Sequence, residues 1–178
     1  GVIKPNTPAV ISQSQTEIVE LFQNKAQSVG ASIHFADQIY KVTALELENY
    51  SQRKFSVTSA NGQTSCYLLD LPGIYQQKNL AGVLNTIDIV KSKGYNITQK
   101  NIEDGLANAA KTTGLKGRWQ VISNSPVTIC DTGHNVDGIK EILLQLAQLK
   151  YNRLHVVFGM VGDKNVDGVL ELMPKDAI

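Results

Sequence analysis

Paired cysteines, long apolar runs and clustered charge are all missing from this 178-residue sequence, and each absence removes a class of protein. Its two cysteines, Cys66 and Cys130, lie in separate strand-like apolar runs without C-x-x-C spacing. Neither a disulfide framework nor a structural zinc site is expected, and a reducing cytoplasm fits best. No stretch approaches the roughly eighteen uninterrupted apolar residues of a membrane span, and the start, Gly1 to Pro5, lacks the regions of a signal peptide. Lys and Arg number 17 against 16 Asp and Glu, a net charge of +1, so composition leaves no footprint for nucleic acid. An anionic ligand must therefore be held by local placement. Neither G-x-x-x-x-G-K-[ST] nor a strand-following G-x-G-x-x-G occurs, and Gly159 to Lys164 imitates a phosphate loop only superficially.

What is present suits a globular α/β chain. Hydrophobic residues make up 42% and charged ones 19%, which supports one domain or two small ones. The sequence starts without methionine and ends at Pro174 to Ile178 as if approaching another strand, so a piece of a longer protein is expected.

Along the chain, Ala9 to Ile11 reads as a strand. Ser14 and Glu17 have capping-box spacing, Ile18, Val19, Phe22, Ala26 and Val29 recur at helical spacing, and Gly30 suits a helix end. With Ser32 to Phe35 as the next strand this is a parallel βαβ unit. Gln38 to Leu71 alternates as an antiparallel meander, and Asn61-Gly62 is a hairpin signal because both residues tolerate positive φ. A helix follows with Leu80, Val83, Leu84, Ile87 and Val90 on one face, stopping at Gly94. Another, capped by Thr98, carries Ile102, Leu106, Ala109 and Ala110 to Gly114. Two helices have then closed, so Leu115 to Gly117 is the expected boundary.

The stretch from Gly117 to Asn135 carries the chemistry. Trp119 to Ile122 and Val127 to Cys130 read as strands, Ile139, Ile142, Leu143, Leu146 and Leu149 as one helix face, and Leu154 to Phe158 as a further strand ending at Gly159. Strand, helix and strand make a second βαβ unit that delivers Asp131 to a sheet's carboxyl edge, where open α/β sheets bind ligands. Asp131 is read as a helix cap or turn residue, or as a ribose ligand. His134 is a capping or packing histidine or a site residue, and Asn135 an N-cap. Arg118 is a surface ion-pair partner or a phosphate ligand, and Trp119 belongs to the core more than to base stacking. Asn79 sits where an N-cap is expected, and His34 and His155 read as structural.

Taken in order, Gly1 to Pro5, Asn79, Gly117-Arg118-Trp119-Gln120, Asp131-x-Gly133-His134-Asn135 and Phe158-Gly159-Met160-x-Gly162-Asp163-Lys164 resemble the Mur ligase-like family, in particular its folylpolyglutamate and dihydrofolate synthases. The resemblance covers essentially the whole chain. Each piece is weak by itself, and their ordered combination is specific. It implies the end of a P-loop-type central domain, with a mixed sheet and antiparallel meander (residues 1–114), an interdomain linker (115–119) and the start of a Rossmann-like α/β C-terminal domain (120–178).

By the same resemblance Asn79 contacts the adenine side of ATP, Arg118 its phosphates and Asp131 its ribose, while His134 falls on a functionally important histidine of unassigned role. ATP and Mg2+ are the implied cofactors, with the magnesium ligands expected upstream of Gly1. The implied reaction joins L-glutamate to folate, or to dihydropteroate, through an acyl phosphate, in a monomeric cytoplasmic enzyme that acts without nucleic acid or membrane. This piece is expected to be inactive by itself. Gly133 stands where relatives often carry Ala, and Val136 where Pro or another small residue is common. The competing readings are a Mur ligase of peptidoglycan synthesis, a non-catalytic nucleotide-binding module, and an α/β interaction domain in which Asp131 and His134 only cap a helix.

Overall fold

Residues 1–161, 166–175 and 177–178 are described by a computed structural model, in which the chain falls into two units, Gly1–Leu115 and Lys116–Ile178. The first unit opens with β1 (Ala9–Ile11), α1 (Val19–Ser28) and β2 (Ile33–Phe35). β1 and β2 pair in parallel, Ala9 with Ile33 through Ile11 with Phe35, so the expected βαβ unit is formed. The capping box at Ser14 is not. Ser14 donates from its backbone N and its hydroxyl to the two carboxylate oxygens of Asp37 (2.7 and 2.8 Å), and α1 starts only at Val19. A carboxylate distant in sequence outcompetes Glu17 for the same residue.

The meander follows as β3 (Tyr40–Asn49), β4 (Gln52–Ser59) and β5 (Thr64–Leu69), an antiparallel sheet in the order β3-β4-β5. Its register runs from Tyr40 opposite Ser59 to Ala44 opposite Phe55, then shifts before Leu47 meets Arg53. At the second hairpin Gly62 takes the positive φ (+84), and Asn61 does not. The Asn61 side chain instead accepts a hydrogen bond from the Gln63 backbone N at 3.1 Å.

α2 (Gln76–Ser92) packs on β3 and on β1. Leu80 and Leu84 join Phe55, Val57, Tyr67, Leu69, Ile102 and Leu106 in one buried apolar cluster. Val83, assigned to the same face from its spacing, is exposed. Gly82 is buried in its place, where a Cβ would lie 2.1 Å from the Ser12 hydroxyl, so only glycine permits this approach. Burial and the Asp88 carboxylate, to which the Tyr40 hydroxyl donates, push that hydroxyl above its ordinary titration range.

The single helix expected from Thr98 to Gly114 is two, α3 (Gln99–Ala107) and α4 (Ala109–Thr113). Thr98 caps α3 in a capping box with Asn101, as its spacing suggests. The break at Asn108 has a cause in the sheet. The Asp70 carboxylate, just beyond β5, accepts from the backbone N of Ala110 and Lys111 (3.0 and 3.1 Å), so it caps a fresh helix start.

In the second unit β6 (Gln120–Asn124) and β7 (Val127–Cys130) form an antiparallel pair joined through Ser125 and Pro126, whose peptide bond is cis. α5 (Val136–Leu146) follows, with Ile139 and Gln145 buried, and later α6 (Val166–Leu170) with Val169 buried. Leu154 to Phe158 is not a strand, so the second βαβ unit is incomplete among the described residues. That segment contributes two backbone hydrogen bonds, Val156 N to Ile178 O (2.9 Å) and Ile178 N to Leu154 O (3.0 Å). Of the expected glycine-rich segment after Phe158, Gly162, Asp163 and Lys164 lie outside the described residues. Cys66 and Cys130 are both free and exposed. No helix among the described residues is long and apolar enough to cross a membrane.

Candidate functional site

The β6–β7 ladder builds the site by register. It pairs Val121 with Ile129 and Gln120 with Cys130. Continued past that last pair, the register sets Trp119 across from Asp131 and Arg118 across from Thr132. Side chains replace the ladder there. The Asp131 carboxylate accepts from the backbone N of Trp119 and of Gly133, both at 2.8 Å. The turn reading of Asp131 fits, because it closes a turn onto Gly133, whereas the N-cap of the following helix is Asn135. The turn reading is incomplete, because the same side chain clamps the opposite strand.

Gly117 is the second focus. Its carbonyl accepts from the Thr132 backbone N (2.9 Å), the Thr132 hydroxyl (3.0 Å) and Arg118 Nη1 (3.2 Å). Its own N donates to Gln120 Oε1 at 3.0 Å. Arg118 Nη1 also donates to the Thr132 hydroxyl oxygen. Arg118 is exposed, and among the described residues its bonds run to Gly117 and Thr132 rather than to a carboxylate. Thr132 was not singled out from the sequence. The hairpin register was the signal that would have found it.

This junction is strained. Gly117 has φ +69, and a Cβ there would lie 2.4 Å from Thr132 Cγ2. Trp119 has φ +50, a left-handed conformation that costs a bulky residue about 1–3 kcal/mol. It is only 1% exposed, which bears out the core reading, yet among the described residues the indole Nε1 has no hydrogen-bond partner. Burial of the ring and the Asp131 clamp hold the backbone against that strain. Residues kept in such a conformation mark positions where the backbone path matters, and here the path fixes Arg118.

His134 and Asn135 follow on the same loop. His134 is exposed, and its Nδ1 lies 3.0 Å from the Thr132 carbonyl. A carbonyl only accepts, so the Nδ1–H donates to it. Asn135 is the N-cap of α5, accepting from Gly138 N at 2.7 Å. A Cβ on Gly133 would meet Ile142 Cδ1 at 2.6 Å, the movable end of a side chain. An alanine there would therefore need only a shift of Ile142.

Arg118, Asp131 and His134 thus share one loop pair of the second unit. Asn79 belongs to the first unit, where it is exposed on α2 and donates from Nδ2 to Gln76 Oε1 at 2.8 Å. It lies inside the helix, so it is not the N-cap its sequence position suggested. That place is taken by Tyr75, which makes no side-chain capping bond. Among the described residues no three His, Cys, Asp or Glu side chains gather to hold a metal ion.

Residues 117–177 match the model of the Mur ligase glutamate ligase domain, a match that begins at the Gly117 focus. The folylpolyglutamate synthase of Lacticaseibacillus casei is 28% identical over 166 residues, 93% of this chain and 38% of the relative. The dihydrofolate synthase/folylpolyglutamate synthase of Escherichia coli strain K12 is 26% identical over 171 residues, covering 96% of this chain and 36% of the relative. A solved folylpolyglutamate synthase complex with AMPPCP and folate has a TM-score of 0.81 at 26% identity, covering 96% of this chain and 41% of that one. The chain spans about two fifths of the length of these relatives. With the ordered motifs and the fold in agreement, residues 117–177 form a Mur ligase glutamate ligase domain, and nearly the whole chain is similar to the folylpolyglutamate and dihydrofolate synthases.

Proposed function

We propose that the protein to which this chain belongs ligates L-glutamate to folate with ATP as the driving substrate, and that this chain supplies one side of the nucleotide site. The observation that carries the reading is an exposed arginine set on a strained, clamped backbone, in a chain similar to a synthase solved with AMPPCP and folate. The folate carboxylate attacks the γ-phosphorus of ATP, ADP leaves with the bridging oxygen's electron pair, and an acyl phosphate results. The amine of glutamate then attacks the acyl carbon, loses a proton and expels inorganic phosphate. Such chemistry depends on positioning and on neutralising charge on the transferred group.

In this reading Arg118 binds the ATP phosphates, Asp131 the ribose and Asn79 the adenine side, and His134 is a site residue of unassigned role on the loop that carries Asp131. A carboxylate can accept about four hydrogen bonds, so a clamp on two backbone N–H groups is compatible with a ribose contact. Bound magnesium would neutralise phosphate charge. The chain divides functionally into the end of an ATPase domain (1–114), a linker (115–119) and the start of a C-terminal domain (120–178). Dihydropteroate is a further acceptor, and the setting is a monomeric enzyme in a reducing cytoplasm. The test is single-turnover acyl-phosphate formation in the full-length Arg118→Ala enzyme. A drop of about a hundredfold is expected; an unchanged rate would sink the proposal.

A further inference from the structure

We infer that Thr132 is the positioning residue for Arg118: its hydroxyl docks one guanidinium nitrogen on the Gly117 carbonyl and so leaves the other edge of the guanidinium turned to a phosphate. The inference rests on the phosphate role proposed for Arg118. Three observations carry it. The Thr132 hydroxyl donates to Gly117 O (3.0 Å) and accepts from Arg118 Nη1, while Nη1 also reaches Gly117 O at 3.2 Å, which closes a triangle of three residues. The Thr132 methyl group lies where any side chain on residue 117 would sit, so its rotamer is set by contact with Gly117. The Thr132 backbone N bonds the same carbonyl at 2.9 Å, which holds the side chain's origin in place.

A guanidinium has five N–H donors in a planar fork. The triangle uses Nη1, and among the described residues no hydrogen bond engages Nε or Nη2. Nε and Nη2 form one edge of the fork and suit bidentate binding of a phosphate. An arginine freely rotating on an exposed loop would have to be ordered at each binding event. Docking one nitrogen beforehand removes part of that entropic cost and fixes the direction of the remaining edge.

The test uses the full-length enzyme with ATP, folate and glutamate. Thr132→Val keeps the shape and the backbone bond and deletes the hydroxyl, and Thr132→Ser restores it. We expect Thr132→Val to lower kcat/KM for ATP about tenfold with KM for folate unchanged, and Thr132→Ser to recover most of the loss. In an Arg118→Ala background the same Thr132→Val change should have no further effect, because its target is gone. A loss of equal size in both backgrounds, or no loss with Arg118 intact, overturns the inference. If Arg118→Ala itself leaves ATP kinetics unchanged, the proposed phosphate role falls first, so the two failures are distinguishable. Should Thr132→Val fold poorly, Thr132→Ala decides by the same comparison of backgrounds.

Discussion

The helix that carries Asn79 and the junction that carries Arg118 present their side chains by opposite means. α2 is regular, its apolar face is buried in the cluster around Phe55, and the Asn79 side chain bonds a residue one turn earlier on the same helix. Helical periodicity settles where Asn79 points, at little energetic cost. The junction has two left-handed residues around Arg118, a buried tryptophan whose Nε1 is unpartnered among the described residues and a carboxylate that clamps both strands. Its geometry is held by side-chain to backbone bonds instead of by a repeating pattern. A regular element therefore tolerates the loss of one polar group, whereas at the junction each group supports the others.

Asp131→Ala is the most direct way to break that contrast. It removes the acceptor of two backbone N–H groups and the clamp on a residue at φ +50. A cost of about 2–4 kcal/mol to the second unit is expected from unmet backbone donors and unsupported strain. Amide hydrogen exchange at Trp119 and Gly133 should accelerate at least tenfold. Asn79→Ala in the same protein should cost under about 0.5 kcal/mol, since it deletes one bond on an exposed helix face. If the Trp119 amide stays as protected in Asp131→Ala as in the wild type, the junction is not held as described.

The contrast also explains what the sequence made legible. Periodicity revealed the parallel βαβ unit, the meander and the apolar faces of α2, α3 and α5, because burial of a repeating stripe dominates those elements. It failed where a single distant carboxylate intervened. Asp37 took Ser14 from its expected capping box, and Asp70 started α4 in the middle of an expected helix. The motif residues Arg118, Asp131 and His134 were visible as types in order. The strain at Trp119 was not, since a backbone φ leaves no mark in composition or spacing, and Thr132 was within reach only through the hairpin register. Leu154 to Phe158 is a strand-like apolar run that, among the described residues, has no ladder partner beyond Ile178, and pattern by itself does not supply one.

Gly117→Ala sharpens the comparison at the next level of magnitude. Alanine at φ +69 is strained, and its Cβ would lie 2.4 Å from Thr132 Cγ2. A destabilisation of about 1–3 kcal/mol is expected, measured by denaturant unfolding followed through the second unit. Because Thr132 must move, kcat/KM for ATP should fall alongside stability.

The same chemical change in the regular region should have the opposite sign and a smaller size. Gly105 is exposed within α3, has no positive φ, and a Cβ there would meet nothing within 4 Å. Gly105→Ala then removes conformational freedom from the unfolded chain without adding strain to the folded one, a gain of about 0.5–1 kcal/mol. Thermal unfolding of the full-length protein should show the first unit's transition shifted upward by a few degrees, about 2–4 °C for a protein of that size, with ATP kinetics unchanged. A downward shift would mean that α3 needs the absence of a side chain at residue 105, and that the regular unit, like the junction, contains a position where backbone approach outweighs helix propensity.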